Sequence, residues 1–133
     1  MLEITESMMV QESASNREIL ARLRDAGSRV AIDDFGTGFS SLAYLQSLCV
    51  DVVKIDRAFV RDVDTNSDHQ ALTRTILSLA DGFELTAIAE GVETGNELAE
   101  INRLGCRFAQ GFLFHRPLAP EVLRQLFEHS LIS

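Results

Sequence analysis

Positive charge is scarce in this sequence. It has 12 lysines and arginines against 20 aspartates and glutamates, a net charge of −8 and a pI near 4.8. Attraction to phosphate supplies most non-specific affinity for nucleic acid. The basic residues are scattered and form no stripe, so a DNA or RNA duplex is excluded as a partner. A small anionic ligand is still compatible with this charge, if a cation or a local cluster of donors offsets the repulsion. Long apolar runs are absent too, so no segment of the chain is a membrane span. The first ten residues contain Glu3 and Glu6 and no basic start, unlike a secretory signal peptide. Only two cysteines occur, Cys49 and Cys106, which is too few for a disulfide framework, and neither has metal-ligand spacing. They are expected to be buried, unpaired thiols in a reducing compartment. The three histidines, His69, His115 and His129, lie far apart and form no ligand pair.

What is present is an ordinary globular composition, 46% hydrophobic and 24% charged over 133 residues, enough for one domain. Short apolar runs alternate with longer amphipathic ones. The runs Leu2–Thr5, 29–33, Val52–Ile55, Thr86–Ala89 and 107–110 read as strands. Ile19, Leu20 and Leu23 fall on one face of a helix, with Ser15 and Glu18 at capping-box spacing before them and Gly27 as a stop. A short helix is expected over 40–47. Leu72, Ile76 and Leu79 mark a longer one ending near Gly82. Thr94 and Glu97 open a helix that buries Leu98, Ile101 and Leu104 and ends near Gly105. The last starts at Pro120 and carries Val122, Leu123, Leu126 and Phe127. Five β-α units without an internal linker imply an α/β fold with a parallel sheet and right-handed crossovers. A doubly wound sheet and part of a (β/α)8 barrel both fit.

Polar groups recur at the carboxyl ends of the strands: Glu3, Asp33 with Asp34, Lys54, Glu90 and Gln110. Strands of a parallel sheet are buried on both faces and should be nearly all apolar. A charge in such a strand is costly unless it is paired or binds a cation. In a barrel the carboxyl ends line one mouth, where active sites lie. Side chains of adjacent strand residues point to opposite faces, so Asp33 and Asp34 reach one site only if the strand bends, and Gly36 and Gly38 follow closely. Adjacent carboxylates at a strand end suit a two-metal site. Oxygen-only ligands favour Mg²⁺ or Mn²⁺ over zinc. Lys54 shares a face with Val52 and Asp56, opposite Val53 and Ile55. Among carboxylates it either orients a water and neutralises phosphate charge or forms a structural ion pair.

Five segments carry a family resemblance. Leu-Glu-Ile-Thr-Glu-Ser, Ala-Ile-Asp-Asp-Phe-Gly-Thr-Gly-Phe-Ser-Ser-Leu, Val-Lys-Ile-Asp-Arg-Ala-Phe-Val, Ala-Ile-Ala-Glu-Gly-Val-Glu-Thr and Ala-Gln-Gly-Phe-Leu-Phe-His-Arg-Pro-Leu resemble EAL domains, in the family's order and across almost the whole chain. The resemblance implies a (β/α)8 barrel that hydrolyses cyclic di-GMP to the linear dinucleotide with two Mg²⁺ or Mn²⁺ ions. It implies Glu3, Asp33 and Asp34 as metal ligands, Asp33 bridging. Lys54 would hold the attacking water, and Glu90 would act as general base or orient that water. Gln110 would be the late glutamine of the site. Glu6 would steady the loop over 35–41, and Glu93 would tune the metal region. The setting it implies is the bacterial cytoplasm, within a larger signalling protein.

The sequence departs from the family in one respect. No Glu-Ala-Leu occurs, and neither the asparagine ligand nor the early phosphate-gripping arginine has a counterpart. A complete barrel takes about 250 residues. The 133 residues are therefore expected to form the C-terminal portion of an EAL domain, with about five of eight strands and little activity of its own. Open sheet edges would favour a homo-oligomer. Two alternatives stand beside this reading: a non-catalytic nucleotide-binding or regulatory module, and an interaction module derived from the same fold.

Overall fold

A computed structural model of the chain describes residues 1–5, 14–37 and 50–130. Five strands form one sheet: β1 (Leu2–Thr5), β2 (Val30–Phe35), β3 (Val52–Ile55), β4 (Thr86–Ala89) and β5 (Phe108–Ala109). Helices follow or connect them: α1 (Ala14–Asp25), α2 (Arg57–Val60), α3 (Ser67–Gly82), α4 (Gly95–Leu104) and α5 (Pro120–Ser130). All strand pairs are parallel, and the spatial order is β1-β2-β3-β4-β5. A doubly wound sheet reverses its strand order at a switch point. Here every strand lies beside its neighbour in sequence, as in a barrel, so the fold is α/β and part of a (β/α)8 barrel.

Three strands have the bounds read from the sequence. The second runs two residues further, because the chain keeps pairing to Phe35 through an irregular register. The fifth is shorter, with Phe108 and Ala109 alone in the ladder. The helices held their positions better than their faces. Ile76 and Ala80 of α3 are buried, but Leu72 is 45% exposed and Thr73 is fully buried in its stead. The Thr73 hydroxyl reaches the Phe59 carbonyl, so this polar residue can turn inward. In α1, Ile19 is 50% exposed. That helix begins at Ala14, so Ser15 lies within it and is not at a cap. The capping box at Thr94 and Glu97 is present in full. The short helix expected over 40–47, together with Glu6, Gly38 and Cys49, lies outside the described residues.

The core sits between the sheet and its helices. Val30, Ile32, Val53, Ile55 and Ala89 of the strands meet Ile76, Ala80 and Ile101 of α3 and α4. Ala31 and Val52 are equally buried but stand outside that cluster. Alternation puts them on the inner face, with Asp33 and Lys54. Cys106 is buried and unpaired, as expected, and burial pushes its thiol up in pKa.

Candidate metal and catalytic centre

The site begins with a break in strand geometry. Asp34 has a φ of 55°, and the β2–β3 register shifts between Ile32 and Phe35. A left-handed residue inside a strand interrupts the alternation of side chains. Asp33 and Asp34 therefore reach one place despite being adjacent. The bend anticipated from the glycines starts at Asp34 itself and continues at Gly36, whose φ is 99°. Single carboxylate oxygens of Asp33, Asp34 and Glu90 all lie within 4.8 Å of one another.

Lys54 occupies the middle of β3 and is 5% exposed. Its Nζ lies 2.8 Å from Glu90 Oε1, 2.9 Å from Asp33 Oδ1 and 3.0 Å from Glu3 Oε1. Four strands thus deliver one ammonium and three carboxylates to a single point. Burial works against the charged amine, but these carboxylate partners outweigh it and hold the Lys54 pKa above the usual lysine range. Burial also pushes Asp33 upward, yet the neighbouring ammonium prevails and keeps its carboxyl below the ordinary value. Glu90 goes the other way. Its desolvation, reinforced by the Asp33 charge, exceeds the help from Lys54, so its pKa is raised. Asp34 is raised chiefly by a hydrogen bond to Asp56. Sequence reasoning gave Asp56 no role, although its position two residues after Lys54 places it on the same face.

Gln110, at the end of β5, donates its side-chain amide to Glu90 Oε1. Glu93 is exposed and lines an adjoining cleft of about 410 Å³ with Gln110, Arg57, Phe112 and Arg116. The Arg116 guanidinium stacks 4.5 Å above the Phe112 ring centroid. Arg57 and Arg116 bring positive charge to an acidic mouth; both lie within the quoted segments, but the sequence reading gave neither a role. Glu97 sets the loop carrying Glu90 and Glu93. Its nearly buried carboxylate accepts hydrogen bonds from the Glu93 and Thr94 amides at 2.9 Å and from the Asp62 amide at 3.2 Å. Glu3, Asp33, Asp34, Lys54, Glu90 and Gln110 are therefore brought together. Glu93 is at the rim. Glu3 is outside the close carboxylate triplet and meets Lys54.

A divalent cation fits this donor set. All the candidate donors are oxygens, suited to a hard ion. One ammonium against the four carboxylates of Glu3, Asp33, Asp34 and Glu90 leaves excess negative charge. Asp33 Oδ1 is buried and, among the described residues, meets Lys54 as an ion pair but has no directed hydrogen-bond partner.

A singly wound parallel α/β sheet with acids and a lysine at its carboxyl ends is that of a (β/α)8-barrel protein with its site at the strand ends. The EAL domain profile matches residues 1–117, and the chain belongs to the EAL domain family. It is similar to the cyclic di-GMP phosphodiesterase NbdA of Pseudomonas aeruginosa, 40% identical over 93% of this chain and 16% of that protein. It also resembles the crystal structure of the EAL domain of Mycobacterium smegmatis DcpA. That TM-score is 0.88 at 45% identity, covering 94% of this chain and 56% of the other. BlrP1 of Klebsiella pneumoniae, solved as a manganese and cyclic di-GMP complex, has a TM-score of 0.80 at 38% identity, covering 86% of this chain and 29% of BlrP1. The chain thus spans about half of the solved DcpA domain and a smaller part of the other two.

Proposed function

We propose that this chain is the C-terminal portion of a cyclic di-GMP phosphodiesterase domain of the bacterial cytoplasm and supplies half of its catalytic centre. The observation that carries the reading is the convergence of Glu3, Asp33, Lys54 and Glu90 from four strands on one point. Asp33, Asp34 and Glu90 would hold Mg²⁺ or Mn²⁺, with Glu3 joining from β1. Bound metal would stabilise developing charge on the phosphodiester and lower the pKa of a water. The chain's own groups supply the rest. Glu90, held against Lys54 and Gln110, would orient that water or take its proton. Gln110 fixes the rotamer of Glu90 through its amide. The Lys54 ammonium neutralises phosphate charge, and Arg57 and Arg116 attract the dianionic ligand to the rim.

The segment by itself lacks the Glu-Ala-Leu glutamate and the asparagine ligand of the family. A polypeptide of these 133 residues should hydrolyse cyclic di-GMP more than about 100-fold more slowly than a complete domain, since even an outer partner of a metal ligand is worth about 10- to 100-fold. A steady-state assay with Mg²⁺ and with Mn²⁺ tests this. Turnover near that of a complete domain, abolished by Asp33→Asn, would show that the missing ligands are dispensable. Tight cyclic di-GMP binding that is indifferent to Asp33→Asn would instead mark a regulatory nucleotide-binding module built on the arginine cleft.

A further inference from the structure

Two glycines beside the carboxylate-bearing strand ends touch the same short helix, α2. Gly36 stands two residues after Asp34. A Cβ on it would lie 2.8 Å from the Phe59 ring and 3.1 Å from Ile76 Cδ1. Gly91 directly follows Glu90, and a Cβ on it would lie 2.5 Å from Arg57 Cβ and 3.5 Å from Arg57 Cα. Neither position has room for a side chain, so Phe59 and Arg57 bear on bare backbone. The bend at Asp34 needs such support. The β2–β3 ladder shifts register between Ile32 and Phe35, where Asp33 and Asp34 stand, and strand pairing does not hold a left-handed residue in place. The helix that bears on the bend is itself fixed. Asp56 caps it by accepting from the Ala58 amide at 2.6 Å. Val60 and Val63 are fully buried in the core. The Asp62 amide, just beyond, donates to Glu97 Oε1 at 3.2 Å. A body packed this closely moves little and passes displacements on.

We propose that α2 is a positioning strut for the metal site: Phe59 bears on the bend from Asp34 to Gly36, Arg57 bears on the turn after Glu90, and the helix between them sets the spacing of the carboxylates. This rests on the reading that Asp33, Asp34 and Glu90 hold the cation. It gives that site a determinant, Phe59, that touches neither cation nor substrate. Phe59 acts through the backbone of Gly36 and is a positioning residue.

The test is the affinity of the protein for Mn²⁺ alone, measured by calorimetry at a temperature where circular dichroism shows each variant folded. Phe59→Leu stays apolar and withdraws the flat ring from Gly36. It should weaken Mn²⁺ binding by about tenfold, the lower end of what an outer partner of a metal ligand is worth. Val60→Ala is the control. The atoms nearest to the two glycines belong to Phe59, Ile76 and Arg57, and none to Val60. Truncating a fully buried valine should lower the melting temperature and leave Mn²⁺ affinity unchanged. Hydrogen exchange gives a second readout that needs no metal. The Thr37 amide donates to the Asp34 carbonyl at 3.4 Å, and its exchange should quicken in Phe59→Leu alone. Should Phe59→Leu not fold, Phe59→Met fills the volume with an adaptable chain that has no flat face, and the same comparison is made on it. Mn²⁺ affinity equal to the parent's in the Phe59 variant overturns the strut, and so does an equal loss in Val60→Ala, which would mark a role in stability alone. Asp33→Asn separates this idea from the reading beneath it. If Asp33→Asn abolishes Mn²⁺ binding while Phe59→Leu leaves it intact, only the strut falls. If Mn²⁺ binding ignores Asp33→Asn, the ligand set is wrong and the proposal falls with it.

Discussion

At Asp34 the chain accepts two costs at once. A non-glycine residue with φ of 55° carries strain of about 1–3 kcal/mol, and its carboxylate is pressed against Asp56, which raises its pKa. Strain of this kind persists only where the surroundings over-determine it, here by the pairing of β2 on both sides. Glu97 is the opposite case, a buried acid that its surroundings favour. Burial pushes its pKa up, but the amides of Glu93, Asp62 and Thr94 outweigh that and hold it below the ordinary glutamate value. A depressed folded-state pKa contributes stability that is present above the unfolded value of about 4.3 and is lost as pH falls through the folded one. Glu97→Gln should therefore destabilise by about 1–3 kcal/mol at neutral pH. It should also flatten the loss of stability on acidification, as urea titrations at several pH values would register. An unchanged acid limb would show that Glu97 does not carry it.

At the scale of elements, the ends of β4 and β5 are clamped to each other. The Val92 amide donates to the Gln110 carbonyl at 3.1 Å, and the Leu113 amide to the Val92 carbonyl at 3.0 Å. Gly111 sits inside that clamp. A Cβ there would lie 2.1 Å from the Val92 oxygen and 2.3 Å from its nitrogen, so the backbone itself would have to move. Gly111→Ala should cost at least the roughly 1–3 kcal/mol of an overpacked core, and it should displace Gln110 from Glu90. Thermal melts would show the first effect and a lower Mn²⁺ affinity the second. A melt within about 0.5 kcal/mol of the parent, the usual range for neutral surface changes, would mean that the clamp relaxes. The last helix, α5, is amphipathic as the sequence reads, yet Val122, Leu123 and Phe127 remain 44%, 44% and 63% exposed. Among the described residues it does not cover the sheet.

At the scale of the whole molecule, the sheet formed by the described residues is open, with β1 and β5 as its outer strands. Five strands of this type do not close a barrel of eight. Phe108, on the inner face of β5, is 56% exposed, and Phe112 and Phe114 beyond it are 51% and 45% exposed. Open edges and apolar surface both favour association. We expect a polypeptide of this length to self-associate, most simply as a two-fold dimer. Light scattering down to low micromolar concentration is the measurement. A strictly monomeric, cooperatively unfolding species throughout that range would show that the half-barrel satisfies its own edges.

Local chemistry was legible in the sequence. Apolar runs of strand length placed β1, β3 and β4, and the Thr94–Glu97 box and Gly105 fixed both ends of α4. The polar residues recurring at strand ends named Glu3, Asp33, Asp34, Lys54, Glu90 and Gln110 as one set, because charge in a buried strand is too costly to be incidental. The tertiary structure alone decided which oxygens meet. Whether Glu3 faces the triplet or Lys54, whether Asp56 reaches Asp34, and whether Arg57 and Arg116 share a cleft depend on strand register and on one left-handed residue. Contacts of Lys54 with residues as distant in sequence as Glu3 and Glu90 arise when the strands stack side by side, and no local pattern in the sequence encodes those distances.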